Sequence, residues 1–201
     1  MKRIGLLLAL LLAACPACSS PAGERAPAAH GSHAPSGTHA PSRTHPGAGF
    51  NATDTAWVQL MIPMIERTLP LLDLAARRGT GGTRGLAAAL GRAHRAELDR
   101  LRKLRDDAGV SPVNVHEGHD MPGMVTASQL DDLRAAGGKA FDELFARRLR
   151  EHLDQSLKVT RGERGSGSDP RALALAADLV RSRTGQLAQL ARLGALASAT
   201  S

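Results

Sequence analysis

Gly85-Leu86-Ala87-Ala88-Ala89-Leu90-Gly91-Arg92-Ala93-His94-Arg95-Ala96-Glu97-Leu98-Asp99-Arg100-Leu101-Arg102-Lys103-Leu104 decides the fold class. Leu86, Leu90, Ala93, Glu97, Leu101 and Leu104 recur at three- and four-residue steps with basic residues between them. That is the period of a helix burying one face. Glu97 is the anomaly on this stripe, and His94, one turn before it, can meet it on a shared face. The periodicity predicts a helix from about Thr83 to Ala108, ended by Gly109.

The flanking sequence repeats the pattern. Upstream, Trp57, Leu60, Met61, Met64, Thr68, Leu71, Leu72 and Ala75 form a stripe that predicts a helix from a capping Asn51 or Thr53 to about Arg78, with Gly79 to Gly82 ending it. Pro63 and Pro70 lie inside it, and each removes a backbone hydrogen bond, so a kink is expected. Downstream, Thr126 and Gln129 form a capping-box pattern for a short helix that ends near Gly137-Gly138. A further helix is expected from Lys139 to Gly162, with Phe141, Phe145, Leu149, His152, Ser156 and Val159 facing inward. Asp169-Pro170 then caps a last one carrying Leu173, Leu179, Leu187, Leu190 and Leu193. Phe50, Phe141, Phe145 and Trp57 are the only aromatics, Tyr is absent, and Leu and Ala dominate, so propensity favours helix over sheet. The expectation is an all-α antiparallel four-helix bundle with a short extra helix, occupying residues 50–201.

Residues 1–49 differ in kind. Met1-Lys2-Arg3 is a basic start, Ile4 to Leu12 is almost wholly apolar, and Leu12-Ala13-Ala14-Cys15 has the form of a lipobox. The apolar run is shorter than the ~20 residues that a spanning helix needs. Residues 1–14 are therefore expected to be a lipoprotein signal peptide, with Cys15 as the lipidated residue that anchors the chain to an extracytoplasmic membrane face. Cys15-Pro16-Ala17-Cys18 has redox or metal spacing, but its place at the signal boundary favours lipid attachment. Residues 15–49 are rich in Pro, Ala, Ser, Gly and His and nearly repeat His33-Ala34-Pro35-Ser36 as His39-Ala40-Pro41-Ser42. This composition suits a tether, and His30, His33, His39 and His45 could add weak metal capture.

The formal net charge is +7, and loss of Lys2 and Arg3 with the leader would lower it by two. The positive charge is Arg scattered along helices, without a basic run or basic-aromatic interleaving, so nucleic acid is not an expected partner. No nucleophile-base set, phosphate loop or nucleotide motif is present, and the expected role is binding and not catalysis.

The stretch His116-Glu117-Gly118-His119-Asp120-Met121-Pro122-Gly123-Met124, in the connector between the second and third helices, is the strongest chemical signal. Imidazole suits copper and zinc, and thioether sulfur selects Cu(I). His116, His119, Met121 and Met124 are the candidate ligands, with Met61 and Met64, His94 and Glu97, and His152 as further metal candidates. Each has a structural alternative. Met61 and Met64 suit a core, His152 alone on an apolar face suits a hydrogen-bonded core histidine, and His94 with Glu97 suits a buried polar pair. Met121 and Met124 could equally close the end of the bundle.

From Phe50 to about Glu163 the chain resembles the bacterial family catalogued as domain of unknown function 305, a ferritin-like four-helix group that includes copper-binding periplasmic proteins. The resemblance rests on Met61-Ile62-Pro63-Met64, on His116 through Met124, and on Phe141-Asp142-Glu143-Leu144-Phe145. It implies a copper cofactor, as Cu(I) or Cu(II), and a role in metal buffering, transfer or resistance with an exchange protein as partner. A homodimer stays open. The family's Met-Ile-x-His-His motif is mostly lost, with Met64 and Ile65 in the first copy and only His152 retained in the second. A metal-free envelope structural or interaction protein is therefore the alternative. Di-iron chemistry is disfavoured because no Glu-x-x-His occurs.

Overall fold

The computed structural model describes residues 49–199. The expected signal peptide, Cys15, Cys18 and the tether histidines lie outside the described residues. Five helices follow in order: α1 Ala52–Arg78, α2 Gly81–Asp107, α3 Ala127–Ala135, α4 Gly138–Ser166 and α5 Pro170–Ala199. Among the described residues there is no strand, and no helix is long and apolar enough to cross a membrane.

The caps explain where the helices begin. Asn51 accepts from the Thr53 and Asp54 N–H groups while the Asp54 carboxylate accepts from the Asn51 N–H, a reciprocal box that starts α1. Thr126 and Gln129 close the same kind of box on α3, and Asp169 accepts from the Arg171 and Ala172 N–H groups to start α5. α1 runs as one helix through both prolines.

Two boundaries differ from expectation. α2 starts at Gly81 because Thr80, the cap residue, binds Asp142 of α4, which leaves a two-residue turn after α1. Gly82 lies inside the helix, where a Cβ would come within 2.6 Å of Leu193 Cδ1. α4 continues past Gly162 to Ser166, because Thr160 and Glu163 are buried at its far end and hold the last turn in place.

α1 packs on α2 and α4, and α5 packs on α4 and α2. Phe50, Leu104, Ala108 and Ala172 share one apolar cluster. Ala75, Ala87, Phe141 and Leu190 share the other. Every neighbouring pair of long helices is thus antiparallel, whereas α2 and α4 run the same way. Their connection must travel the length of the bundle, and this single long crossover is the ferritin-like arrangement. It is laid along α1 and α4, with Val110, Met121 and Met124 against the first cluster and Val125 and Leu133 in the second. Arg78 closes the far end by donating to the Arg134 carbonyl of α3 and to the carbonyl of Ala136 just past it.

At the near end, the turn between α4 and α5 wraps around Asp54. Its carboxylate accepts from the Ser168 and Asp169 N–H groups and the Ser168 hydroxyl. Glu163 is buried beside it, 1% exposed. Burial first, then the neighbouring Asp54 and Asp169 carboxylates, push Glu163 up to about 8. The folded chain therefore keeps this proton over a pH range in which the unfolded chain, near the ordinary value of 4.5, has released it. Stability should fall as pH rises from about 4.5 to about 8 and level off above that. Thermal denaturation across this range should show the fall in the parent, and Glu163→Gln should remove that component.

Candidate metal centre

The two apolar clusters do not touch continuously through the bundle. Along α1, Met64 and Ile65 belong to one and Leu71 and Leu72 to the other, with Thr68 between them. On α2, His94 and Glu97 separate Leu90 from Leu98. His152 and Ser156 occupy the equivalent level on α4, beyond Leu149, and Arg183 and Gln186 separate Leu179 from Leu190 on α5. All seven polar side chains are buried. One polar layer, contributed by every long helix, divides the core.

Within it, the His94 and His152 rings meet tip to tip, Nε2 to Nε2 at 3.3 Å, with centroids 5.4 Å apart and planes at 44°. The other nitrogen of each ring faces a main-chain carbonyl. His94 Nδ1 lies 3.0 Å from the Leu90 oxygen, and His152 Nδ1 lies 3.1 Å from the Gly123 oxygen. Thr68 Oγ1, 2.9 Å from His152 Nδ1, donates its own proton to the Met64 carbonyl at 2.8 Å, so it too accepts from the ring. Carbonyl oxygens only accept, and this network assigns the proton of each ring to Nδ1. Both Nε2 lone pairs then point at each other.

Burial first, and the Arg183 charge second, hold His152 down to about 3. The same two influences, followed by His152 itself, hold His94 well below the ordinary histidine value. Both rings are neutral. A chain running from carbonyl through two imidazoles to carbonyl has three gaps and, with neutral rings, two protons. The gap between the Nε2 atoms is the one left without a proton.

Arg183, fully buried, supports the layer from α5. Its Nη1 pairs with Glu97 Oε2 at 2.7 Å and donates to Gln186, and its Nε donates to Ser156 at 2.8 Å. Glu97 Oε1 accepts from Ser182. The expected His94–Glu97 pairing is therefore corrected. The two share a face of α2, but His94 turns to α4 and Glu97 to α5, because only α5 brings a cation to neutralise a buried carboxylate.

The loop residues are placed differently from one another. His119 is exposed and His116 half-buried, in a turn where the His119 N–H donates to the His116 carbonyl. Arg67 pins this segment through the His119 carbonyl at 2.9 Å and Asp120 at 3.0 Å, and its guanidinium also meets Met124 Sδ at 3.4 Å. Met124 is buried, Met121 half-buried, and Met61 accepts from the Thr160 hydroxyl within the core. Among the described residues, no three His, Cys, Asp or Glu side chains gather into a metal-ligand set. An open cleft of about 700 Å³, lined by Asp120 to Met124 and by Glu151, Asp154, Gln155 and Lys158 among others, flanks the turn. Gly123 has φ +79°, and a Cβ there would stand 2.5 Å from Gln155 Cβ. Glycine is what lets the turn press onto α4 and deliver its carbonyl to His152.

The family model for the domain of unknown function DUF305 matches residues 54–194, more than half of the chain. The chain belongs to the DUF305 family. Two solved structures of DUF305 proteins share its fold. A fragment from Deinococcus radiodurans has a TM-score of 0.64 and 16% identity, covering 72% of this chain and 97% of that one. A protein from Streptomyces coelicolor has a TM-score of 0.64 and 17% identity, covering 70% and 89% respectively. No curated protein matches the chain. The family thus accounts for the bundle.

Sequence reasoning missed Arg183, Gln186 and Ser182, and the role of the Gly123 carbonyl. A signal for the first two was present: Ala176, Leu179, Arg183, Gln186 and Leu190 follow helical spacing, with two polar residues mid-stripe opposite the anomalous Glu97. Glu97→Leu should cost about 3–5 kcal/mol by leaving Arg183 buried without its counter-charge. Glu97→Leu with Arg183→Met should recover most of that loss in denaturant unfolding, and a double variant as weak as the single one would argue against the pairing.

Proposed function

We propose that this DUF305 protein is an extracytoplasmic, lipid-anchored copper-binding protein that serves in metal buffering, transfer or resistance and not in catalysis, with His94 and His152 as its inner ligands. The observation that carries the reading is the opposed pair of Nε2 lone pairs, each ring held by its Nδ1–H on a main-chain carbonyl. A ring held through its other N–H by a carbonyl is how proteins orient metal-ligating histidines. Desolvated neutral imidazoles also offer their lone pairs without competition from protons.

The expected site in the connector moves inward under this reading. His116, His119 and Met121 become an outer capture point beside the open cleft, and Met121-Pro122-Gly123-Met124 becomes the structural turn that orients His152. Met64 supports that turn from below, since a Cβ on Gly123 would lie 3.2 Å from its methyl carbon. Export is supported by the lipobox at Cys15 and by the Streptomyces coelicolor relative, which is provisionally designated a secreted protein. The metal-free alternative, an envelope structural or interaction protein, draws on the Glu97–Arg183 pair, which fills the bundle centre with an ion pair of the chain's own.

A competition titration against a Cu(I) chelator separates the two. It uses the full chain with Cys15 and Cys18 as Ser and the tether histidines His30, His33, His39 and His45 as Ala, so that only the bundle can bind tightly. His94→Leu with His152→Leu should abolish the tight site, while His116→Ala with His119→Ala should leave it in place. Unchanged affinity in the His94/His152 variant, with helicity retained, would sink the proposal.

A further inference from the structure

The arrangement of the polar layer also bears on which ions the proposed site admits, an inference that rests on the copper-binding reading above. We infer that the His94–His152 pair selects a monovalent, two-coordinate soft cation, Cu(I) or Ag(I), and rejects divalent ions such as Zn(II) and Cu(II).

Three observations support this selectivity. The first is the ligand count. Two Nε2 atoms face each other directly, and among the described residues no third His, Cys, Asp or Glu joins them in a ligand set. Zn(II) asks for four ligands in a tetrahedron and Cu(II) for a tetragonal set. Two opposed imidazoles satisfy only an ion content with two donors in line, which is the habit of filled-shell monovalent coinage-metal ions. At a metal–nitrogen distance of about 2.0 Å the pair would open from 3.3 Å to about 4 Å, a movement within reach of side-chain rotation.

The second observation concerns charge. Glu97, the carboxylate nearest in sequence to His94 on the same face of α2, is committed to Arg183 and Ser182. It offers no negative charge to an incoming ion without stranding a buried guanidinium. Arg183 and Glu97 cancel each other at 2.7 Å and leave no surplus carboxylate charge for an ion. The solvation cost of placing an ion in a buried site grows as the square of its charge, so a divalent ion meets about four times the penalty of a monovalent one.

The third observation is rigidity. Each ring is fixed by a carbonyl belonging to a different element, Leu90 in the body of α2 and Gly123 in the glycine-constrained turn. Neither ring can swing to the surface to complete a larger coordination shell with water. Both rings are fully buried, in a site shaped for a small coordination number.

The test uses the full chain with Cys15 and Cys18 as Ser and the tether histidines as Ala. It is titrated separately with Ag(I), as a redox-inert probe, and with Zn(II), while ¹⁵N spectra of the histidine rings are recorded. In the metal-free protein, both Nε2 nitrogens should be unprotonated and both Nδ1 nitrogens protonated. One mole of Ag(I) should shift the Nε2 signals of His94 and His152 together. Zn(II) should leave them in place, with an affinity for the pair at least about 100-fold weaker. His94→Gln and His152→Gln, which keep a polar side chain in the layer, should each remove the Ag(I) response while the helical spectrum persists. Equal binding of Zn(II) and Ag(I) at the pair would overturn the selectivity and leave the copper-binding reading standing. Binding of neither ion would overturn both, and so would an Nε2–H on either ring.

Discussion

Arg183 cannot be separated from Glu97 without leaving a charge in the middle of a bundle, and the rest of the structure is arranged around that fact. The pair joins α5 to α2, the two imidazoles join α2 to α4, and Thr68 joins α1 to α4. Apolar stripes alone would let antiparallel helices slide by a turn at modest cost, because Leu packs on Leu at several registers. A layer of hydrogen-bonded polar groups matches at one register only, since any shift strands several buried donors and acceptors. The layer therefore sets the vertical alignment of all four long helices, with an apolar cluster on each side of it.

The same layer meets the crossover through the Gly123 carbonyl. α2 and α4 run in the same direction, so the connector must pass along the bundle, and it does so over the groove between α1 and α4. The Met-Pro-Gly-Met turn lies over His152, which is fully buried. Met124 is buried beneath it and Gly123 leaves room for the close approach to Gln155. A surface loop carrying exposed His119 and half-buried His116 and Met121 is thus connected through a single carbonyl to a ring in the core. This geometry links the exposed part of the connector to the inner imidazole pair.

Much of the bundle was legible in the chain because helical periodicity and capping are local. The stripe from Leu86 to Leu104, the Asn51 and Thr126 boxes and the Asp169-Pro170 start act within a few residues of themselves, and each produced the element expected of it. Boundaries failed where a distant residue intervened. Thr80 became the cap of α2 through Asp142, and α4 ran past Gly162 because its last turn is held at the α1 end of the bundle. For the site, the residue types were legible but their pairings were not. His94 and Glu97 stand one turn apart and suggested a mutual contact, yet each is claimed by a different helix. His152 stood alone on its stripe, and only packing reveals that it has a partner.

The sequence by itself determined that this protein is an all-helical bundle, which stretches become helices, and that histidines, a carboxylate and methionines lie on inward faces or in the long connector. Helix spacing and turn chemistry are properties of neighbours along the chain, so one chain suffices to read them. The tertiary structure alone decided that His94 meets His152, that Glu97 meets Arg183, and that Gly123 supplies the carbonyl that turns a ring's lone pair inward. Those contacts join residues dozens of positions apart, and they exist only when one register brings four helices and a crossover to the same level of the core.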